Sequence, residues 1–151
     1  MNNYKQPKFS LQTVLDVRKN KVDKLEMELA ELLLEQQNLL KHKNDIEMRL
    51  DNDLYKLKVI QTGEINLTEM DQLRHAIRKY QKMIKNIEEK LRLLDKKILL
   101  KRDELLFARQ NEKIIDKLKQ KEYKRFCNEL NQQELHLQDD IYIAQAFHNR
   151  Q

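Results

Sequence analysis

From Leu11 onward, apolar residues recur at alternating steps of four and three. The series is Leu11, Leu15, Arg18, Val22, Leu25, Leu29, Leu32, Gln36, Leu39, Lys43, Ile46, Leu50, Asp53, Leu57 and Ile60, and eleven of its fifteen positions are apolar. Steps that average 3.5 residues keep one stripe on one side of a helix, which is the signature of a coiled-coil seam. Pro7 suits a first helical turn and no later position. The spacing therefore predicts a first helix over about 8–61. A second series runs Leu73, Ile77, Tyr80, Ile84, Ile87, Leu91, Leu94, Ile98, Lys101, Leu105, Ala108, Glu112, Ile115 and Lys119. It predicts a second helix over about 68–147. Its register slips between Leu118 and Tyr123, and a poorer stripe follows: Tyr123, Cys127, Leu130, Leu137, Ile141 and Ala144.

Between the two series lies "QTGEINLT", with the only glycine of the chain, Gly63. A glycine just past the last periodic residue reads as a helix stop, because it accepts the left-handed conformation of a C-terminal cap. A helix start follows at once. Thr68-x-x-Asp71 reads as a capping box. Asn66-x-x-Glu69 competes with it, with Ile65 and Met70 as a hydrophobic staple. A turn over about 62–67 suits antiparallel neighbours.

Residues that face each other across such a hairpin have numbers with a constant sum, and 130 suits the short turn. At that sum Leu57 meets Leu73, Leu50 meets Tyr80, Leu32 meets Ile98 and Leu15 meets Ile115. A defect matches as well, since Arg18 falls opposite Glu112. A charge pair there would fix register while adding little net stability. The expected fold class is all-α: an elongated antiparallel two-helix coiled coil, with a longer C-terminal helix. Helix 1 ends opposite Tyr123. Residues 123–151 thus form an overhang without an internal partner, and a long helix without one frays.

Composition supports long helices over a mixed globular domain. Charged residues make up 36 % and aromatics 6 %, with one glycine and one proline. The start, "MNNYKQPKFS", has no apolar core of a signal peptide, and no apolar run is long enough to span a membrane. One cysteine, Cys127, allows no internal disulfide. No chemistry converges. One glycine cannot build a phosphate loop, the four histidines lack metal-ligand spacing, and the carboxylates read as solvated faces. The chain reads as a non-enzyme with no catalytic, cofactor or metal residues, no small-molecule substrate and no cofactor. Net charge is +5. From Arg74 to Arg125 there are 18 Lys/Arg against 8 Asp/Glu, whereas the balance turns acidic from Phe126 on. Few aromatics lie among the basic residues, so nucleic acid is a weak reading.

The opening "KFSLQTVLDVRKNKVDKLEMEL" has the form Phe-x-Leu-x-x-Val-Leu-x-x-Arg, carried by Phe9, Leu11, Val14, Leu15 and Arg18. It resembles the opening of the FliJ family, the small coiled-coil component of the bacterial flagellar type III export apparatus. The length, the central turn and the long second helix match too. The tail "LKQKEYKRFCNELNQQELHLQDDI" resembles the family's, with Leu135 and His136 where Gln-Lys is usual.

The resemblance implies a stalk-like rod at the cytoplasmic face of the inner membrane. It implies association with the hexameric flagellar export ATPase, with the cytoplasmic part of the membrane export gate, and with export chaperones. The open end, with Phe9, Tyr123, Phe126, Leu130 and Ile141, would enter the ATPase ring. The hairpin end, near Tyr55, Leu73, Ile77 and Tyr80, would face the gate. Gly63, Thr68, Arg18 and Glu112 would be structural. The alternatives are a passive coiled-coil scaffold and, less favoured, a basic nucleic-acid-binding rod.

Overall fold

The computed structural model describes residues 7–150; residues 1–6 and Gln151, the ends of the expected span, lie outside them. Two helices carry almost everything described: α1 (Gln12–Gln61, 50 residues) and α2 (Leu67–His148, 82 residues). They pack against each other as an antiparallel hairpin, with no strand among the described residues. The all-α two-helix fold with a longer second helix is therefore confirmed. α1 begins later than the expected start near Lys8. The Gln12 N–H reaches the Phe9 carbonyl at 3.1 Å, so a tight three-residue turn supplies an acceptor to a donor that the helix start leaves open.

The chain divides into two compact units. One is Lys24–Leu105. Its core centres on Ile46, Ile87 and Leu91, with Leu39, Tyr80, Met83 and Ile84 packed around them. Leu39 with Leu91, and Ile46 with Ile84, are rows of the expected register. Four polar residues interrupt the apolar stripe, Gln36, Lys43, Asp53 and Lys101, and three of them find a partner across the seam. Lys101 Nζ lies 2.9 Å from Glu28 Oε2, Lys43 Nζ lies 3.3 Å from Glu88 Oε1, and Gln36 Nε2 donates to Asp95 Oδ1 at 2.7 Å. Each pair sits within one residue of the expected row. The long stems lie along the seam while the polar heads reach its edge.

The other unit joins the chain before Lys24 to the chain from Leu106 on. Leu15, Val22, Ala108 and Ile115 are buried, and Leu15 is fully so. Arg18 lies on the expected row, but its partner corrects the sequence reading. Its Nη1 donates to the backbone carbonyl of Asn111 at 2.6 Å, not to the carboxylate of Glu112. A helical carbonyl keeps a second lone pair after accepting its helix bond. The guanidinium can take it while Glu112 stays half-exposed at the seam edge. In both units, every buried apolar residue falls on the two heptad series, and Met70 extends the second series by one step.

The turn corrects two further expectations. Gly63 has no positive φ. The Thr62 and Gly63 N–H groups close short three-residue turns onto Val59 and Ile60, and the Thr62 hydroxyl donates to the Val59 carbonyl at 2.7 Å. The helix end thus tightens and uses a side chain, so it needs no left-handed residue. A Cβ built at Gly63 would meet nothing within 4 Å. At the other side Asn66, not Thr68, is the N-cap. Its Oδ1 accepts from the Glu69 N–H at 3.4 Å, and its carbonyl accepts from the Met70 N–H at 3.0 Å. Thr68 sits inside the first turn of α2, so its hydroxyl comes too late to cap. Met70 is buried, whereas Ile65 stays exposed.

Two outcomes follow at the turn. Gly63→Ala leaves stability unchanged or raises it by up to ~1 kcal/mol, because only the unfolded chain loses freedom. Asn66→Ala costs about 0.5–2 kcal/mol. Urea unfolding of the two variants reads both. A third concerns pH. The hydrogen bond from Lys101 holds the Glu28 carboxyl below its ordinary value, and hydrogen bonds to Glu28 and then Glu104 hold the Lys101 ammonium above its own. The Glu28 contribution is therefore complete above the ordinary carboxylate range and is lost as pH falls through the depressed value. The Lys101 contribution is complete below the ordinary lysine range and is lost as pH rises through the raised value. The Tm difference between the protein and its Glu28→Gln variant narrows to nothing in acid; a difference independent of pH contradicts the pairing.

Candidate partner-binding surfaces

At the open end, the chain entering α1 runs beside the second helix where the seam runs out. Phe9, Tyr123 and Phe126 come together there and, with Pro7, Lys8, Lys119 and Glu122, line a concavity of about 130 Å³. Phe9 and Phe126 are half-buried, and Tyr123 is half-exposed. The Cys127 sulfur lies one turn on, and donation of the Tyr123 hydroxyl to it holds the phenol above its ordinary pKa. Leu130 is half-buried and Ile141 is exposed, and neither lines the concavity.

Beyond Leu130, every described residue is exposed. α2 nevertheless continues to His148 and carries Leu135, Leu137, Ile141, Tyr142, Ile143 and Phe147 on this stretch. Together these side chains make an apolar surface that no described residue covers. They surround the helix rather than forming one stripe, so a partner would have to enclose it. Heptad spacing pointed to Leu137 and Ile141 but not to Leu135, Tyr142 and Ile143, which fall off the stripe. The constant-sum register did point to the concavity, by setting Pro7 opposite Tyr123.

The residues expected at the hairpin end are not alike. Tyr55 is 68 % exposed and faces solvent. Ile77 is 7 % exposed, Leu73 is half-buried, and Tyr80 packs on the Ile46, Ile87 and Leu91 cluster. Of these four, only Tyr55 presents an open face, because the other three occupy seam positions. Sequence spacing missed Ile65 and Leu67, which are exposed at 63 % and 72 % beside the turn. Their signal was the break in periodicity itself.

Among the described residues, no three His, Cys, Asp or Glu side chains group to hold a metal ion. No helix among them is long and apolar enough to cross a membrane. What the described side chains offer is surface for contact with other molecules: an aromatic concavity, an uncovered helix and an open tip.

Comparison with known proteins returns one family. The model of the flagellar FliJ protein matches residues 7–151, nearly the whole chain. No curated protein and no solved structure matches. The chain belongs to the flagellar FliJ protein family, whose members are non-catalytic components of the flagellar export apparatus.

Proposed function

We propose that the protein is a stalk coupling the hexameric flagellar export ATPase to the membrane export gate, and that it also receives export chaperones. The family match supports the apparatus. The observation that carries the coupling reading is the helix beyond Leu130, with six large apolar side chains that no described residue covers. A helix with apolar residues around its whole circumference suits an enclosing partner, such as the inside of a ring. In this reading Phe9, Tyr123 and Phe126 form the collar at the ring mouth, Leu130 follows, and Ile141 lies inside. The hairpin end faces the cytoplasmic part of the gate. Tyr55 makes the contact there, and Leu73, Ile77 and Tyr80 hold its platform from within the seam. The protein would then work in the cytoplasm, peripheral to the inner membrane.

The two halves of this reading separate by truncation. Among the described residues, none beyond Ile115 is buried. A chain ending at Glu122 therefore keeps its helical hairpin, and its Tm falls by no more than a few degrees. Mixed with the export ATPase, the full chain promotes ring assembly and ATP turnover, and the truncated chain does neither. Turnover and ring formation, followed by phosphate release and electron microscopy, check this. An undiminished effect from the truncated chain removes the tail from the ring.

A further inference from the structure

The first part of α2 carries a feature that the seam does not use. Residues 72–87 contain Arg74, Arg78, Lys79, Lys82 and Lys85 and no acidic residue. All five are exposed. Among the described residues none of the five takes part in an ion pair, whereas the seam lysines Lys43 and Lys101 do. At 100° per residue, Arg74, Arg78, Lys82 and Lys85 share one face of the helix. Leu67 begins that face, seven residues before Arg74. Asp71 is the one acid within it. Glu89, which follows at the next turn, is occupied by Arg92 at 2.6 Å.

The face thus starts in exposed apolar residues and continues in unpaired cations. Leu67 and, just before it, Ile65 are among the most exposed apolar residues of the unit, at a chain reversal where nothing packs over them. Lys56 and Lys58 at the end of α1 add positive charge, against Glu64 and Glu69. The cations alone complement any anionic surface. The apolar tip adds what an interfacial contact uses: side chains that enter the headgroup boundary while cations lie along an anionic surface.

We propose that the hairpin tip is a lipid-contact site, in which Ile65 and Leu67 enter an anionic bilayer surface and Arg74, Arg78 and Lys82 bind its phosphate headgroups. Lys85 lies farther along the same face and contributes less. The site needs neither the ATPase nor the gate, so it stands or falls separately from the coupling role.

The test uses the full chain and vesicles, with sedimentation as the readout at about 0.1 M salt. Vesicles of phosphatidylcholine with phosphatidylglycerol bind the protein, and vesicles of phosphatidylcholine alone do not. Binding disappears near 1 M salt, where charges a few ångströms apart are already screened. Each cation at an anionic surface raises partitioning about fivefold. The triple variant Arg74→Gln, Arg78→Gln, Lys82→Gln therefore loses on the order of a hundredfold. Lys113→Gln, Lys117→Gln, Lys121→Gln removes the same charge elsewhere and keeps binding within about fivefold of the original. Ile65→Ser with Leu67→Ser weakens binding about tenfold without changing its salt dependence. Circular dichroism confirms that each variant keeps its helix. Equal losses in the two triple variants would reduce the effect to net charge and overturn the site. Capture of soluble polyglutamate without any binding to vesicles would replace the lipid with an acidic protein surface.

Discussion

An amphipathic helix buries one stripe, and everything else in this protein follows from two such stripes having to share a seam. Apolar residues alone leave that seam ambiguous, because a slip of seven residues still sets apolar rows against apolar rows. The polar interruptions remove the ambiguity. Lys101 needs Glu28, Gln36 needs Asp95, Lys43 needs Glu88, and Arg18 needs the Asn111 carbonyl. A slipped hairpin breaks all of these pairings, and the side-chain pairs discriminate more than the Arg18 contact, because every register offers a backbone carbonyl. They are worth little as net stability and much as selection among competing registers.

The seam was legible in the sequence because its physics is periodic. Every buried apolar residue stands on a series that can be counted along the chain, and the one-glycine turn supplied the sum that aligned them. What failed was local. Gly63 sits where a left-handed cap would sit, but two tight backbone turns and the Thr62 hydroxyl end the helix instead. Nothing in the spacing distinguishes these endings. Asn66 and Thr68 both offered an oxygen to a helix start, and two residues of difference lie within the uncertainty of any cap read from sequence. Arg18 was placed on its row, but a side chain that long has several acceptors in reach, and only coordinates choose among them.

Partner surfaces were less legible for a physical reason. Residues that pack internally answer to a period; residues that meet another molecule answer to that molecule. Ile77 and Tyr80 looked like candidates for a partner and are held by the seam. Tyr142, Ile143 and Leu67 obey no internal period and are the open ones. In this chain, departure from the heptad marks the large apolar side chains that stay exposed better than agreement with it does.

The placement of the turn also orders how the molecule comes together. The Lys43–Glu88 contact closes a loop of about half the span closed by Arg18 and Asn111, which are 93 residues apart. The entropy of closure grows only slowly with length, yet it favours starting near Gln61 and Leu67 and zipping outward, one heptad row after another. Opening would run in reverse, so the rows nearest Phe9 and Tyr123 exchange their amide protons first. The end that carries the Phe9, Tyr123 and Phe126 concavity is thus also the end that opens first. A ring could engage it by waiting for a fluctuation the hairpin already makes, instead of prying apart a closed seam.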